Sequence, residues 1–478
     1  MPSSASDSRG RTPVWSTEAM GQKTSGDTIQ ALLHDTRRSL AAPSRNPRMA
    51  VVIGRLLAIA FVLCFGTGLY SHFLQDPLPW MTFPTRPIWL YQVSQGIHIT
   101  AGIACFPLIL AKLYTVFPGL FQSPPVKSVA HAIERASIAL FVAASLVQIT
   151  IGLLNTFQLY ALFPFPFRQT HFALSFVVIG SLAIHIGVKL PVISKHWTKK
   201  RSDVEAAGLD TGAARPTRPA EADAVQSSGI TGRIFRWIDR VPAPASATST
   251  SDGPASTSPA STSPASDGPA LDGPASARPS TGSRRGFFAT VAVAVAAVVG
   301  LTAGQSFRVL DGVNFFGPRK MGVGPQGLPV NRTAKAAKVT ETAVDPDWVL
   351  TVVAGERSVT FTRAALMAMP QVEVELPIAC VEGWSQYAMW TGVRMRELIA
   401  AVGGSPDASV TATSLEKKSI YAVSTLGPEW VRDDLTLVAL KLGGEDLDID
   451  HGYPARLIAP ARPGVLQTKW LSRIEVNV

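Results

Sequence analysis

The sequence predicts a multi-domain protein with an N-terminal all-α four-helix transmembrane bundle, a fifth transmembrane helix and a C-terminal α+β domain. Three observations predict it. Apolar runs of spanning length recur in the first half, a Pro/Ala/Ser-rich stretch follows, and short strand patterns with two convincing helices fill the last third. The 478 residues are 46% hydrophobic and 16% charged with net charge +10, which is typical of a membrane protein with basic loops.

Five apolar runs reach about 20 residues almost without charge, which favours membrane spans over buried helices of a soluble core. They lie near residues 50–70, 90–112, 136–157, 172–193 and 287–305. Basic residues precede the first run, border the loop after the second and follow the fourth. The positive-inside rule therefore predicts a multi-pass protein of the cell membrane, with its C-terminal domain on the extracytoplasmic side.

The polar start of the chain and the Pro/Ala/Ser repeats define the domain boundaries. The repeats bury too little apolar surface to fold, and the start has no early apolar core of a signal peptide. No Lys/Arg stripe interleaved with aromatics occurs, so nucleic acid is not an expected partner. The predicted units are a disordered cytoplasmic tail (1–48), a four-span domain (49–195), a disordered cytoplasmic linker (196–282), a signal-like segment with the fifth helix (283–306) and the C-terminal domain (307–478).

Residues 283–288, Ser-Arg-Arg-Gly-Phe-Phe, directly precede the fifth run. Two arginines before a span also satisfy the positive-inside rule, so they have a simple alternative explanation. The segment nevertheless resembles the twin-arginine export consensus Ser-Arg-Arg-x-Phe-Leu, with Phe288 in place of Leu. That resemblance implies the twin-arginine export machinery as a partner, which moves folded domains.

Histidines occur at a spacing suited to haem. His171 and His185 lie fourteen residues apart in the fourth run, so they face nearly the same way, about 21 Å apart along a helix. Ionisable residues inside a span are usually functional. Matching depths pair His98 with His171 at an outer haem and His131 with His185 at an inner one. Two alternatives to these assignments remain. The histidines could form hydrogen bonds between packed helices instead of binding haem, or His72 could replace His98 at the outer haem.

Four spans with His-x13-His on the last resemble the di-haem b-type cytochrome subunits of formate dehydrogenases and hydrogenases, over residues 50–195. The resemblance implies one or two haem b groups and quinone, or another membrane electron carrier, as a partner. Such subunits usually take one inner ligand from the first span. The first span of this chain offers none.

Cys380 is the one cysteine outside an apolar run of membrane length, so a disulfide with a membrane-buried partner is excluded. It is either a small buried hydrophobe or, as a thiolate, a soft ligand for a transition metal. It begins Cys-Val-Glu-Gly-Trp-Ser (380–385), and Trp-Thr-Gly follows at 390–392.

These segments resemble the cofactor-binding segment of the sulfite-oxidase fold, especially its bacterial branch of periplasmic protein-methionine-sulfoxide reductase catalytic subunits. A second block, Asp-His-Gly-Tyr-Pro-Ala-Arg-Leu-Ile-Ala-Pro (450–460) with Lys-Trp-Leu (469–471), is similar to the family's pterin-binding stretch. The resemblance implies molybdopterin as cofactor and Cys380 as catalytic residue and molybdenum ligand. The other cofactor-binding residues expected are Asn331, Glu382, Gly383, Trp384, His451, Gly452, Arg456 and Lys469.

Arg456 and Lys469 suit the pterin phosphate or an anionic substrate, the alternative being ordinary surface or strand-end charges. Within the motif, His451 is expected to hydrogen-bond the pterin rather than to bind metal. Lys-Ser-Ile-Tyr (418–421) stands where family members often carry Asp-Gly-Tyr. The substrate pocket is therefore expected to differ.

The sequence as a whole predicts a membrane-bound molybdenum oxidoreductase that transfers an oxygen atom to or from a small sulfite- or sulfoxide-like substrate outside the membrane. Electrons would pass between molybdenum and the quinone pool through haem b, in a direction that the sequence leaves open. The alternative from another class is a non-catalytic outer binding domain anchored to a haem b electron conduit. A third hypothesis is a transporter or scaffold without any cofactor.

Overall fold

The computed structural model describes residues 45, 47–117, 126–197 and 284–477. Apart from a few residues at their edges, the predicted tail (1–48) and linker (196–282) lie outside these ranges.

Four long helices form the N-terminal region and share one apolar core. Each is long and apolar enough to cross a membrane, which confirms that part of the prediction. They are α1 (Pro47–Gln75), α2 (Leu90–Val116), α3 (Val129–Thr156) and α4 (Phe167–Lys195). Leu57, Phe61, Cys105, Phe141 and Leu182 fill the space between them.

A shorter apolar helix, α5 (Arg284–Thr302), runs beside α2. Near its start, the Phe287 ring stacks on Tyr114 with ring centroids 5.4 Å apart. Beyond its end, the Phe307 ring packs against Gly96. Gly96 and Tyr114 are eighteen residues apart, so α5 and the turn after it follow α2 for about 27 Å.

The C-terminal domain is α+β, as predicted. Its strands in chain order are β1 (Val349–Ala354), β2 (Arg357–Thr362), β3 (Val372–Ala379), β4 (Ser385–Arg394), β5 (Val410–Ser414), β6 (Val423–Leu426), β7 (Leu437–Leu442), β8 (Glu445–Asp446), β9 (Arg456–Ile458) and β10 (Leu471–Val476). Short helices lie between them: α6 (Ala334–Ala337), α7 (Thr340–Ala343), α8 (Arg363–Ala368), α9 (Met395–Ala401) and α10 (Pro428–Val431).

The strands form two sheets. One has the order β2-β1-β10-β5-β6, with β1 parallel to β10 and the other pairs antiparallel. The other has the order β3-β4-β7-β8, and β9 also pairs with β7. Leu376, Trp384 and Trp390 are buried with Cys380 in the core of the second sheet. Burial of such side chains contributes roughly 2 kcal/mol each, so the core fixes the end of β3 from which Cys380 follows.

The domain docks on one end of the bundle, where α1 and α3 end and α2 and α4 begin; we call this the domain-proximal end. Arg86, between α1 and α2, forms a two-pronged ion pair with Asp433 at 2.6 and 3.0 Å. The hydroxyl of Tyr421 donates to Gln75 Oε1 at 2.9 Å. Phe83 stacks on Trp430 with ring centroids 6.3 Å apart. The two regions thus share a packed, hydrogen-bonded junction.

Candidate functional site

Cys380 lies in a tight turn between β3 and β4. Its backbone N–H donates to the Trp384 carbonyl at 2.9 Å, and the Gly383 N–H donates to the Cys380 carbonyl at 3.0 Å. Gly383 adopts φ +97°, a left-handed conformation that a side chain would strain. The thiol is 1% exposed. Burial raises its pKa and the nearby Glu382 carboxyl raises it further, whereas Lys469 and Arg319 oppose the rise.

Glu382 is the buried acid of this turn. Trp384 Nε1 donates to its carboxylate at 3.2 Å, and Gln158 Nε2, from the segment after α3, donates to the other oxygen. Arg319 lies 3.9 Å from the carboxylate. Burial raises the pKa of Glu382, while the hydrogen bond from Gln158 and the charge of Arg319 lower it.

Asn331 lies close to this acid, because Gln158 Nε2 also donates to the Asn331 carbonyl at 2.7 Å. The structure therefore gathers five of the predicted residues around one turn: Asn331, Cys380, Glu382, Gly383 and Trp384.

The second block places His451 and Gly452 beside two cations. His451 is buried, and its Nε2–H donates to the Pro325 carbonyl at 2.7 Å; burial lowers its pKa to about 4. The ring is therefore neutral near pH 7. Gly452 has φ +108°, and a Cβ there would lie 3.0 Å from Lys469 Cβ and 3.1 Å from Arg456 Cβ. Only glycine leaves this space open.

Arg456 and Lys469 are not ordinary surface charges. Arg456 is 1% exposed, donates to the His451 carbonyl at 2.9 Å, and burial lowers its pKa to about 9. Its Nε is buried and has no hydrogen-bond partner among the described residues. Lys469 Nζ donates to the Arg332 and Asp450 carbonyls at 2.8 and 2.7 Å. Burial, followed by the charge of Arg456, lowers the pKa of Lys469 to about 7.

Buried donors that lack a carboxylate partner suit an anionic ligand, since an unsatisfied buried guanidinium N–H is costly. A buried thiol, a glycine cradle and these cations together have the donor chemistry that a molybdenum–pterin phosphate cofactor requires.

The turn that carries Cys380 contacts α2 directly. Gln95 Nε2 donates to the Val381 carbonyl at 3.0 Å, and Gln92 Nε2 donates to Ser385 Oγ at 3.0 Å. From beyond α5, Gln305 donates to the Glu382 carbonyl at 3.1 Å and Ser306 donates to the Gly383 carbonyl at 2.5 Å.

Sequence reasoning missed these contacts and that of Gln158. One signal existed for Gln92 and Gln95, which are polar amides inside an apolar run.

His98 lies one helical turn further along α2 from Gln95 and faces His171 of α4. The two ring centroids are 6.1 Å apart and the rings are inclined at 72°. His98 Nδ1 donates to the Cys64 carbonyl at 2.9 Å; in the neutral ring, Nε2 is then the nitrogen with a free lone pair that can bind a metal. If one metal ion bound a nitrogen of each ring, each metal–nitrogen bond would be about 2 Å long and each nitrogen would lie about 1 Å from its ring centre. The two ring centroids would then be about 6 Å apart. The observed separation fits one metal ion held by both rings.

Glycines make room around this pair. A Cβ on Gly68 of α1 would lie 2.9 Å from His98 Cε1, and one on Gly152 of α3 would lie 3.2 Å from His171 Cε1. Both rings therefore lie close against the backbone of a neighbouring helix, in space that a larger residue than glycine would occupy. His72 does not take the place of His98; its ring stacks on Phe172 with centroids 3.5 Å apart.

The structure does not bring His131 and His185 together. His131 is in the first turn of α3, where its Nδ1 accepts from the Lys127 backbone N–H at 3.3 Å. The His185 ring, on α4, stacks on Phe141 of α3, with centroids 6.2 Å apart. Phe141 is ten residues beyond His131, about 15 Å along the axis. The expected inner pair therefore differs in depth, because helical spacing fixes the direction of a side chain but not its level on a neighbouring helix.

The C-terminal domain is similar to domains of known proteins. Residues 336–478 match the family model described as oxidoreductase molybdopterin binding domain. Mitochondrial sulfite oxidase of Drosophila melanogaster is 30% identical over 159 residues, covering 27% of this chain and 27% of the relative. An NADPH nitrate reductase of Phytophthora infestans is 37% identical over 99 residues, 19% of this chain and 10% of the relative.

A putative protein-methionine-sulfoxide reductase subunit YedZ1 of Azospira oryzae is 29% identical over 120 residues, 24% of this chain and 44% of that protein. The solved sulfane dehydrogenase SoxCD of Paracoccus pantotrophus shares 25% identity with a TM-score of 0.26, covering 28% of this chain and 40% of that chain. This chain spans less than half the length of each of these proteins. Residues 336–478 are therefore similar to the molybdopterin-binding domain of oxidoreductases, and the chain is similar to part of a sulfite oxidase.

Proposed function

We propose that this protein is a membrane-bound molybdenum oxidoreductase that transfers an oxygen atom to or from a small sulfite- or sulfoxide-like substrate and exchanges electrons with quinone, or another membrane carrier, through haem b. The observation that carries the proposal is the hydrogen bond from Gln95 to the Val381 carbonyl. It joins the turn of the metal-ligating cysteine to the helix that bears His98. Direct electron exchange between two redox groups requires them to be close, and this contact brings the two segments together.

Cys380, the Glu382–Trp384 turn and the cations Arg456 and Lys469 would hold the molybdenum cofactor, with Asn331, His451 and Gly452 beside it. When bound, the cofactor supplies two-electron oxygen-atom exchange. Reduction of a sulfoxide takes up two electrons and two protons and releases the sulfide and water; oxidation of sulfite takes its oxygen from water and releases two electrons and two protons. Lys469, with its pKa of about 7, can hold or release a proton near neutral pH.

His98 and His171 would hold one haem b at the domain-proximal end. The ring separation of 6.1 Å and the hydrogen bond from His98 to Cys64 support this assignment. The structure offers no comparable support for His131 with His185, so the proposal contains one haem. Quinone, or another membrane carrier, would exchange electrons with it.

In this proposal, α5 is a fifth membrane span and the C-terminal domain lies on the extracytoplasmic side. Two features support this: α5 follows α2 for about the thickness of a hydrocarbon layer, and its arginine-rich start lies at the end away from the domain. Export of the folded domain by the twin-arginine machinery would let the cofactor be inserted in the cytoplasm first.

The test is an optical titration of the purified full-length protein. Sulfite added to oxidised protein, or methionine sulfoxide added to reduced protein, is expected to change the b-type haem absorbance in one of the two directions. The same additions to Cys380→Ser are expected to leave the spectrum unchanged. A wild-type protein that contains molybdenum and haem, but whose haem responds to neither compound, would contradict the proposal and favour a non-catalytic domain on a haem conduit.

A further inference from the structure

The loop that follows α5 has its polar side chains inside and its apolar side chains outside. We call residues 304–320 the apolar loop. The polar side chains of Gln305 and Asn314 are only 1% and 2% exposed, whereas Val309 is 90% exposed and Phe315 is 68% exposed. A loop that faces water favours the opposite arrangement. The exposed face of this loop therefore suits a non-aqueous neighbour.

Contacts within the apolar loop hold it closed. Asn314 Nδ2 donates to the Arg319 carbonyl at 3.1 Å, and Asn314 Oδ1 accepts from the Gly317 backbone N–H at 2.9 Å. A Cβ on Gly304 would collide with the Asn314 side chain, so glycine at this position allows the start of the loop to pack on its middle. The buried amide of Asn314 thus organises the loop from within, and the apolar side chains remain on its outer face.

The apolar loop folds back beside the last turn of α5. The Phe316 backbone N–H donates to the Leu301 carbonyl at 2.9 Å, and a Cβ on Gly300 would lie 3.9 Å from Val313 Cγ2. The exposed apolar side chains therefore lie level with the end of α5. In the proposed topology, this is the level at which the hydrocarbon layer meets the lipid headgroups, where aromatic side chains are enriched.

Charge and continuity favour lipid as the neighbour of this face. Arg308 and Lys320 flank the apolar residues, and both are exposed. The acid between them, Asp311, accepts from the Met321 backbone N–H at 3.3 Å within the loop. Exposed cations beside an apolar face attract anionic headgroups. The same face continues the exposed apolar surface of α5, to which Val293 belongs.

We propose that the apolar loop inserts its exposed face into the lipid surface at the domain-proximal end. The residues at its start also hold the turn that carries Cys380: Gln305 donates to the Glu382 carbonyl at 3.1 Å, and Ser385 Oγ donates to the Ser306 carbonyl at 3.2 Å. The insertion therefore places this turn close to the lipid headgroups. The inference rests on the proposed function, in which α5 is a membrane span.

Spin labels on the full-length protein test this inference, in nanodiscs of equal parts phosphatidylcholine and phosphatidylglycerol. Labels are attached to Val309→Cys and Phe315→Cys, and to Thr360→Cys on the exposed face of β2 as the control in water. The native cysteines are buried or half-buried, and labelled wild type gives their background. Both loop labels are expected to collide several-fold more with molecular oxygen, which concentrates in lipid, than with a water-soluble nickel chelate. The Thr360→Cys label is expected to show the reverse preference.

A label at either loop position that prefers the nickel chelate would overturn the inference, because the loop would then lie in water. Labels shielded from both reagents would overturn it as well, since a second copy or another protein would then cover the face. A further label at Val293→Cys separates the two proposals. If this label prefers the nickel chelate, α5 is not a membrane span and the proposed topology fails. If it prefers oxygen while the loop labels do not, only the lipid contact of the loop is contradicted.

Discussion

Gln95 Nε2 donates a hydrogen bond of 3.0 Å to the carbonyl of Val381, the residue that follows Cys380. This bond links a helix of the bundle to the turn that carries the thiol. Because Gln95 is buried, its amide has no water as a substitute partner. The contact therefore holds the segments that carry the two candidate redox sites next to each other.

Replacing Gln95 by Leu is expected to slow electron exchange between the sites while leaving both metals bound. The variant removes the donor and leaves the Val381 carbonyl unsatisfied, at a cost of about 1–3 kcal/mol to the junction. Stopped-flow measurement of the haem response to substrate checks this. Thr150→Ala, an exposed helix substitution that affects only a bond within α3, is the matched control. Equal rates in Gln95→Leu and wild type would show that the junction does not position the sites.

Cys380→Ser is expected to abolish turnover and leave the haem spectrum intact. A hydroxyl is a much weaker ligand for a soft metal site than a thiolate, so turnover is lost. The histidine pair lies on α2 and α4, outside this turn, so the haem spectrum is unaffected. Turnover and optical spectra of the same preparation check both parts. Thr360→Ala, an exposed change in β2, is expected to retain full activity. Retained turnover in Cys380→Ser would rule out the molybdenum assignment.

His171→Ala is expected to remove the b-type absorbance, because it deletes one of two rings whose centroids are 6.1 Å apart. His131→Ala is expected to keep it, since His131 lies in the first turn of α3, at a different depth from His185. Iron content per chain and the reduced-minus-oxidised spectrum decide the matter. A haem signal that survives His171→Ala, or is lost in His131→Ala, would contradict the single-haem arrangement.

His451 is expected to make the C-terminal domain sensitive to acid. Burial lowers its folded-state pKa from 6.5 to about 4, so the unfolded chain binds the proton first. Its stabilising contribution is complete above about pH 6.5 and is lost as pH falls towards 4, up to about 3 kcal/mol. Urea unfolding followed by tryptophan fluorescence at pH 7 and pH 5 measures this loss. His451→Gln is expected to show a smaller loss, and His196→Gln, at the end of α4, the wild-type loss. An unchanged loss in His451→Gln would contradict the assignment.

The four long helices and the position of Cys380 could be predicted because each depends on local signals: long apolar runs, and a short motif around a lone soluble-domain cysteine. The pairing of His98 with His171 followed from depth matching, and the structure places these two rings face to edge. The same reasoning paired His131 with His185, which the structure separates. The level of a histidine along the bundle axis depends on where its helix begins and on how the helix is tilted. The spacing of histidines in the sequence determines neither.

The domain junction could not be predicted from the sequence. Gln158 lies 224 positions before the Glu382 carboxylate that it contacts, and Arg168 and Tyr421 line one cavity from separate regions. Such contacts leave no periodicity in either segment, because each involves a single side chain at the end of an element. Only the polar amides inside the second apolar run hinted that this end of the helix has a polar partner.

Elemental analysis of the purified full-length protein, made in a host competent in molybdenum-cofactor synthesis, tests the central claim most directly. The account predicts about one molybdenum and about one iron per chain, held by Cys380 and by the histidine pair. Iron without molybdenum would contradict it and leave a haem conduit with a non-catalytic domain.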